Sequence, residues 1–174
     1  DKSEHLLEAI PVMGCYCDLI GVRSFARFES KEEDYNEMLL NQFIKYSGKP
    51  VFSMEAATRH PLQTFADLIT IEEHKTKERP KVVMTWAPHP KALPQAVPNS
   101  FAEGMDFAGY DFVIANPEGY DLAPEFVGGA RVTHDQDEAM VMSDRICLLN
   151  CGKIEQMDTP IAIYTPPRTK FAAG

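Results

Sequence analysis

Short apolar runs alternate along this chain with stretches whose apolar residues recur every three or four positions, and that alternation constrains the fold more than any other feature. The runs are Cys15–Arg23 (CYCDLIGVR), Val51–Met54, Lys81–Trp86, Asp111–Ala115 and Ala130–Thr133. Between them lie a helical pattern over Tyr35–Tyr46 (Met38, Leu39, Phe43, Ile44), a second from His60 to about Lys75 (Leu62, Phe65, Ala66, Leu68, Ile69), a third over Ala96–Met105, and a helix or turn near Pro124. Glu4–Met13 reads as the end of a helix, Glu29–Asp34 as a charged loop, Ser47-Gly48-Lys49-Pro50 as a stop, and Lys77-Glu78-Arg79-Pro80 as a hinge. Strand, helix, strand in this order predicts an α/β fold of parallel sheets covered by helices, here in two incomplete lobes joined through the His60 helix. Ligands of such sheets bind outside the carboxyl ends of the strands.

The chain has 174 residues, an ordinary apolar fraction and a formal charge of −9. Its acidity argues against a general nucleic-acid or anionic-membrane binder, which needs a basic surface. It contains neither an apolar run long enough to span a bilayer nor a signal-peptide pattern, so a cytoplasmic protein with no membrane insertion is expected. It opens on Asp1 in a helix-like run, as expected of a chain starting inside a larger gene product. The cysteines fall as Cys15-Tyr-Cys17 and Cys147-Leu-Leu-Asn-Cys151. Neither spacing is that of a zinc or redox C-x-x-C, so they are expected to be small buried apolar residues, with no metal and no cofactor.

Arg59-His60-Pro61-Leu62-Gln63 sets an imidazole and a carboxamide three residues apart at the mouth of a helix, with Pro61 in its first turn. At the positive end of that helix the pair suits a carbonyl or another oxygen-rich ligand. The residues equally allow a plain N-terminal cap cluster with Thr58 as the capping hydroxyl.

Three blocks carry a resemblance: Ile20-Gly21-Val22-Arg23-Ser24-Phe25, Ser53-Met54-Glu55-Ala56-Ala57-Thr58-Arg59-His60-Pro61-Leu62-Gln63, and the proline-rich Thr85–Pro98. Over residues of about 4–131 the chain resembles the carbamoyltransferases of the acylornithine type, whose members are homo-oligomeric. The resemblance implies transfer of a carbamoyl group from carbamoyl phosphate to an N-acylated ornithine, in arginine biosynthesis. His60 and Gln63 would then contact the carbamoyl group, and Arg23 would hold carbamoyl phosphate through its guanidinium fork. Glu55 would orient the substrate amine, or else pair with Arg59 or a backbone donor. Pro88, Pro90, Pro94 and Pro98 freeze φ and stiffen a wall in which His89 and Pro90 would meet the acylated substrate, although a loop histidine is also at home in solvent. Arg23, His60 and Gln63 are expected to converge on one cleft between the lobes, each lying at a strand end or helix start.

Two of that family's motifs, a Ser-Thr-Arg-Thr phosphate loop and a His-Cys-Leu-Pro segment, have no counterpart in the chain, so a poor catalyst or none is expected. From about Val132 the motifs Val132–Met140, Ser143–Ile146, Gly152–Gln156 and Thr159–Tyr164 resemble the end of an ATP-binding cassette importer subunit of the polyamine type. There His134 would match a histidine that senses the γ-phosphate, but the Walker A loop is absent. The division expected is therefore 1–59, the end of a carbamoyl-phosphate lobe; 60–79, a linking helix and hinge; 80–131, the start of an amino-acid lobe; and 132–174, the importer-like segment. A gene fusion, a joining error and a divergent transferase tail all fit this pattern. If the segment completes the second lobe, Val132 should pair parallel to Asp111–Ala115, a helix should follow over Asp137–Met142, and a strand over Arg145–Asn150 should enter the same sheet, while the tail beyond Asp158 packs poorly.

Overall fold

The computed structural model describes residues 5–86, 94–135, 137, 141, 146–150 and 153–164. The chain divides into two compact units that interleave along the sequence: Asp1–His74, His89–Gly104 and Leu122–Val127 form one, and Lys75–Pro88, Met105–Asp121 and Gly128–Gly174 the other.

In the first unit, helix α1 (Leu6–Gly14) begins at His5, whose Nδ1 accepts the Leu7 N–H at 3.3 Å. Strand β1 (Ile20–Arg23) pairs in parallel with β2 (Val51–Glu55), and between them run α2 (Lys31–Tyr35) and α3 (Met38–Tyr46). β1 is shorter than the apolar run Cys15–Arg23 suggests, because pairing starts only where Ile20 N–H meets the Pro50 carbonyl. The cysteine expectation fails at the two described positions: Cys15 is exposed, Cys17 is half-buried, and their thiols donate to the carbonyls of Pro11 and Met13 at the end of α1. The charged loop expected over Glu29–Asp34 is in large part helix. Ser30 Oγ accepts the Glu33 N–H, and Glu32, Glu33 and Asp34 place negative charge at the positive helix end. Acidity there is a start signal rather than a loop signal. Helix α4 (Pro61–His74) follows β2, and α5 (Ala96–Ala108) gives its residues up to Gly104 to this unit.

The second unit is built on three parallel strands in the order β3 (Lys81–Thr85), β4 (Asp111–Ala115), β5 (Arg131–Thr133). β4 is central, with Val113, Ile114 and Ala115 all but sealed from solvent. A short helix, α6 (Pro124–Val127), precedes β5, and its Phe126 is buried in the first unit. Val132 pairs with Ile114 as expected, so the parallel sheet runs through the point where the resemblance changes. The continuation differs. β6 (Ile146–Asn150) does not join this sheet but turns back on β7 (Lys153–Asp158) as an antiparallel pair. A hairpin satisfies the pairing of both strands locally, between neighbours in sequence. The tail also packs better than expected as far as Tyr164: α7 (Pro160–Tyr164) buries Ile163, and the buried Gln156 donates through Nε2 to the Ala162 carbonyl. The helix expected over Asp137–Met142 lies for the most part outside the described residues. Among the described residues, no helix is long and apolar enough to cross a membrane.

Candidate active site

Arg23 ends β1 and Glu55 ends β2. A bulge between Val22 and Arg23 shifts the register so that Arg23 stands opposite Glu55 rather than Met54. A bulge re-aims the side chain that follows it, and here it turns the guanidinium onto a carboxylate. Arg23 donates through Nε and through a terminal nitrogen to the same oxygen, Glu55 Oε2, both at 2.9 Å. The Arg23 guanidinium also lies over the Phe25 ring, 4.8 Å from its centre. Glu55 is nearly buried while more than half of the Arg23 side chain is exposed, so the guanidinium is held along one edge, through Nε and one terminal nitrogen, and Glu55 does not engage the other terminal nitrogen.

His60 Nε2 sits 3.5 Å from that same Glu55 oxygen. Its other ring nitrogen, Nδ1, accepts the Gln63 N–H at 3.2 Å and caps the helix. The capping role that Thr58 could have held is thus filled by His60 itself. Thr58 is engaged elsewhere, its N–H and hydroxyl both donating to Glu37 Oε1. In a neutral imidazole with Nδ1 accepting, the proton resides on Nε2. The cap therefore fixes the tautomer and makes Nε2 a donor, and 3.5 Å from Glu55 is too long for that donor to be firmly engaged.

Gln63 points its carboxamide along α4, donating through Nε2 to Asp67 Oδ1 at 2.9 Å. Burial raises the Asp67 carboxyl above its ordinary range, against the opposing pull of the Gln63 hydrogen bond and of His60.

The segment between β2 and α4 is tied down by α5. Ser100 Oγ accepts the His60 N–H at 2.8 Å, and the buried Asn99 donates through Nδ2 to the Thr58 carbonyl at 3.1 Å. Arg59 does not pair with Glu55, the alternative its proximity in sequence left open. It grips Glu103 with three hydrogen bonds of 2.8 to 3.2 Å and lies over the Phe126 ring. Glu103 and burial act on the Arg59 guanidinium in opposite senses, and the Glu103 hydrogen bond prevails, raising its pKa. Glu37, which holds Thr58, adopts a left-handed backbone, with φ at 45° and ψ at 43°. A non-glycine residue there is strained and persists only where its surroundings hold it.

Arg23, Glu55, His60 and Gln63 are therefore connected within the first unit. His89 and Pro90 lie outside the described residues. His134 follows β5 in the second unit, half exposed, its Nε2 2.8 Å from Asp121 Oδ1; Asn116 Nδ2 donates to the same oxygen at 3.2 Å. The hydrogen bond from His134, then that from Asn116, holds the Asp121 carboxyl below its ordinary value of 3.8. A depressed carboxylate stabilises the fold above its unfolded pKa and loses that contribution as pH falls through its folded one. Asp121→Asn should therefore lower stability at neutral pH and flatten the acid limb below about pH 4, so that the two profiles converge in acid, as read by urea unfolding at stepped pH.

Sequence reading missed Asp67, Asn99, Ser100 and Glu103. Only Asp67 carries a local signal, four positions after Gln63 on the same helix face. The other three sit some 40 residues away in sequence from the groups they hold, such as Ser100 from His60.

Residues 1–73 match the family model described as aspartate/ornithine carbamoyltransferase, carbamoyl-P binding domain. Among individual proteins, the chain is similar to the N-succinylornithine carbamoyltransferase of Bacteroides thetaiotaomicron, 73% identical over 150 residues, covering 86% of this chain and 47% of that protein. It is also similar to the N-acetylornithine carbamoyltransferase of Xanthomonas campestris pv. campestris, 36% identical, covering 88% of this chain and 50% of that one. A crystal structure of a mutant N-acetyl-L-ornithine transcarbamylase complexed with PALAO superposes with a TM-score of 0.76 at 36% identity, over 83% of this chain and 48% of that one. The chain thus has the α/β fold of parallel sheets and helices seen in carbamoyltransferases, and spans about half the length of these relatives. A likeness to the spermidine/putrescine import ATP-binding protein of Thermobifida fusca extends over 43 residues at 60% identity, 25% of this chain. A transferase likeness covering 86% of the chain runs past residue 131, beyond the 4–131 expected, and so takes in His134.

Proposed function

We propose that the chain carries part of the site of an N-acylornithine carbamoyltransferase, with Arg23, His60 and Gln63 addressing carbamoyl phosphate and Glu55 holding Arg23 in place. The observation that carries this reading is the helix cap at His60, which leaves Nε2–H as a donor beside the Arg23 guanidinium. In the reaction an uncharged amine attacks the carbonyl carbon, a C–N bond forms, the C–O bond to phosphate breaks, and the amine's proton leaves as the ureido product is made. Negative charge gathers on the carbonyl oxygen, where a pre-placed donor such as His60 Nε2–H is worth about 3–4 kcal/mol in the transition state. Arg23 would meet the phosphate oxygens with the terminal guanidinium nitrogen that Glu55 leaves free. Glu55 is occupied by Arg23 in this structure, which favours a structural role for it over a direct grip on the substrate amine. His89 and Pro90 stay assigned to the acyl-substrate wall by resemblance alone.

Without a Ser-Thr-Arg-Thr loop to complete the phosphate cradle, the isolated chain should form no measurable ureido product from carbamoyl phosphate and N-succinyl- or N-acetylornithine. Turnover should appear when a fragment of a relative carrying that loop is added, and His60→Ala should remove it. Turnover by the chain alone that survives His60→Ala would overturn the assignment. A second reading, a nucleotide-binding subunit fragment of a polyamine-type importer with His134 near a phosphate, has the 43-residue likeness in its favour. Protection by ATP of His134 against a histidine-modifying reagent would support it.

A further inference from the structure

Gln63 is useful to a carbamoyl group only in one of its two amide orientations. A carboxamide presents an acceptor on one side and a donor pair on the other, and rotation by half a turn exchanges them. The ligand's –NH2 needs the acceptor. On α4 the choice is made by the residue one turn later: Gln63 Nε2 donates to Asp67 Oδ1 at 2.9 Å. An ionised carboxylate can only accept, so the –NH2 side of Gln63 must face it. Among the described residues nothing donates to Gln63 Oε1. We propose that Asp67 is a positioning residue that locks the Gln63 carboxamide with Oε1 outward, so that the site selects a ligand bearing N–H beside its carbonyl, a carbamoyl rather than an acetyl phosphate.

Two further observations favour the lock. The pair is spaced i, i+4, so both side chains project over the same helical turn without distorting it. The partial burial that pushes the Asp67 carboxyl up also reduces the competition from water that would let the amide turn over. Together with the cap at His60, the helix start then offers one fixed donor, Nε2–H, and one fixed acceptor, Gln63 Oε1, which is the complement of an O=C–NH2 group.

This inference rests on the carbamoyltransferase reading, and its test separates the two. Carbamoyl phosphate and acetyl phosphate, which differ by –NH2 against –CH3, are titrated into the full chain while the side-chain amide resonance of Gln63 is followed by NMR. The chain should prefer carbamoyl phosphate by about tenfold, a typical consequence of leaving one polar partner unpaired. Asp67→Asn keeps the shape but can donate as well as accept, so the preference should fall to within about twofold and the unliganded Gln63 resonance should move. Asp67→Glu, which retains the carboxylate, should recover part of both and serves if the asparagine variant fails to fold. A preference retained in Asp67→Asn, or a Gln63 resonance that does not move, overturns the proposal. If the unaltered chain shows no preference although its Gln63 resonance moves in Asp67→Asn, the lock exists but the carbamoyl reading of the site fails, and the selectivity proposal with it.

Discussion

Gly104→Ala should destabilise the unit that holds the candidate site by about 1–3 kcal/mol, the usual cost of forcing one extra carbon into a packed contact. Gly104 faces Thr64 where α5 crosses α4, and a Cβ built there would overlap Thr64 Cγ2. In an unpacked helix the same change would gain about 0.5–1 kcal/mol, so a net loss identifies the close approach as the cause. Thr64 is buried and β-branched and has little rotamer freedom with which to yield. Removing the offending methyl should relieve the clash: Thr64→Ser, costly alone, should restore most of the stability when combined with Gly104→Ala. Equal and additive losses in the two single variants would show that the helices do not meet there. Because Ser100 lies one turn before Gly104, displacement of α5 should also loosen the His60 N–H, measurable as faster amide exchange at His60 in the single variant.

Ile114→Ala should cost the second unit about 2–5 kcal/mol, a large share of the 5–15 kcal/mol that holds an ordinary domain together. Ile114 is 1% exposed in the middle strand of the sheet, with Met84 and Val132 as its ladder partners on either side. Truncation leaves a cavity on the face of a sheet whose strands main-chain pairing holds at fixed spacing, so little collapse can offset it. Trp86, the single tryptophan of the chain, directly follows β3 and reports on this unit. The midpoint of urea unfolding followed by its fluorescence should fall clearly in Ile114→Ala and much less in Ile114→Leu, where volume is conserved. An unchanged midpoint for the alanine variant would refute the assignment of β4 as the core of this unit.

Sequence reading succeeded where one local pattern dictates one local structure. β2, α4, β3, β4 and β5 lie within a few residues of their expected bounds, because period and flanking prolines act over a few positions. It failed where two principles compete for the same residues. Glu29–Asp34 is charged enough for a loop, but a serine followed by three acids is also a helix start, and the helix prevails. Cys15–Leu19 is apolar enough for a strand but has no opposing strand to pair with, since β2 begins at Val51. At the candidate site, motif resemblance singled out Arg23, His60 and Gln63, and the structure connects them within one unit. What holds them was not: Glu103 on Arg59 and Ser100 on His60 are contacts across the fold that no window of neighbours contains. The cap fell between the two. A capping side chain was expected at Thr58, and the ring two residues later supplies it.

β5 carries one more consequence. Its three residues bond to β4 through main-chain atoms, while Arg131 and Val132 turn exposed side chains outward. An outer strand of this kind, last in the order of its sheet, asks almost nothing of its occupant beyond an extended backbone and a free N–H and C=O. Such a position is a natural seam for recombination. Any two coding sequences joined inside such a strand would inherit a working partner strand without having been selected together, so an intact ladder at β5 argues neither for nor against shared ancestry on its two sides. Exchanges that fall in β4, where every residue from Phe112 to Ala115 is packed, would meet selection at once.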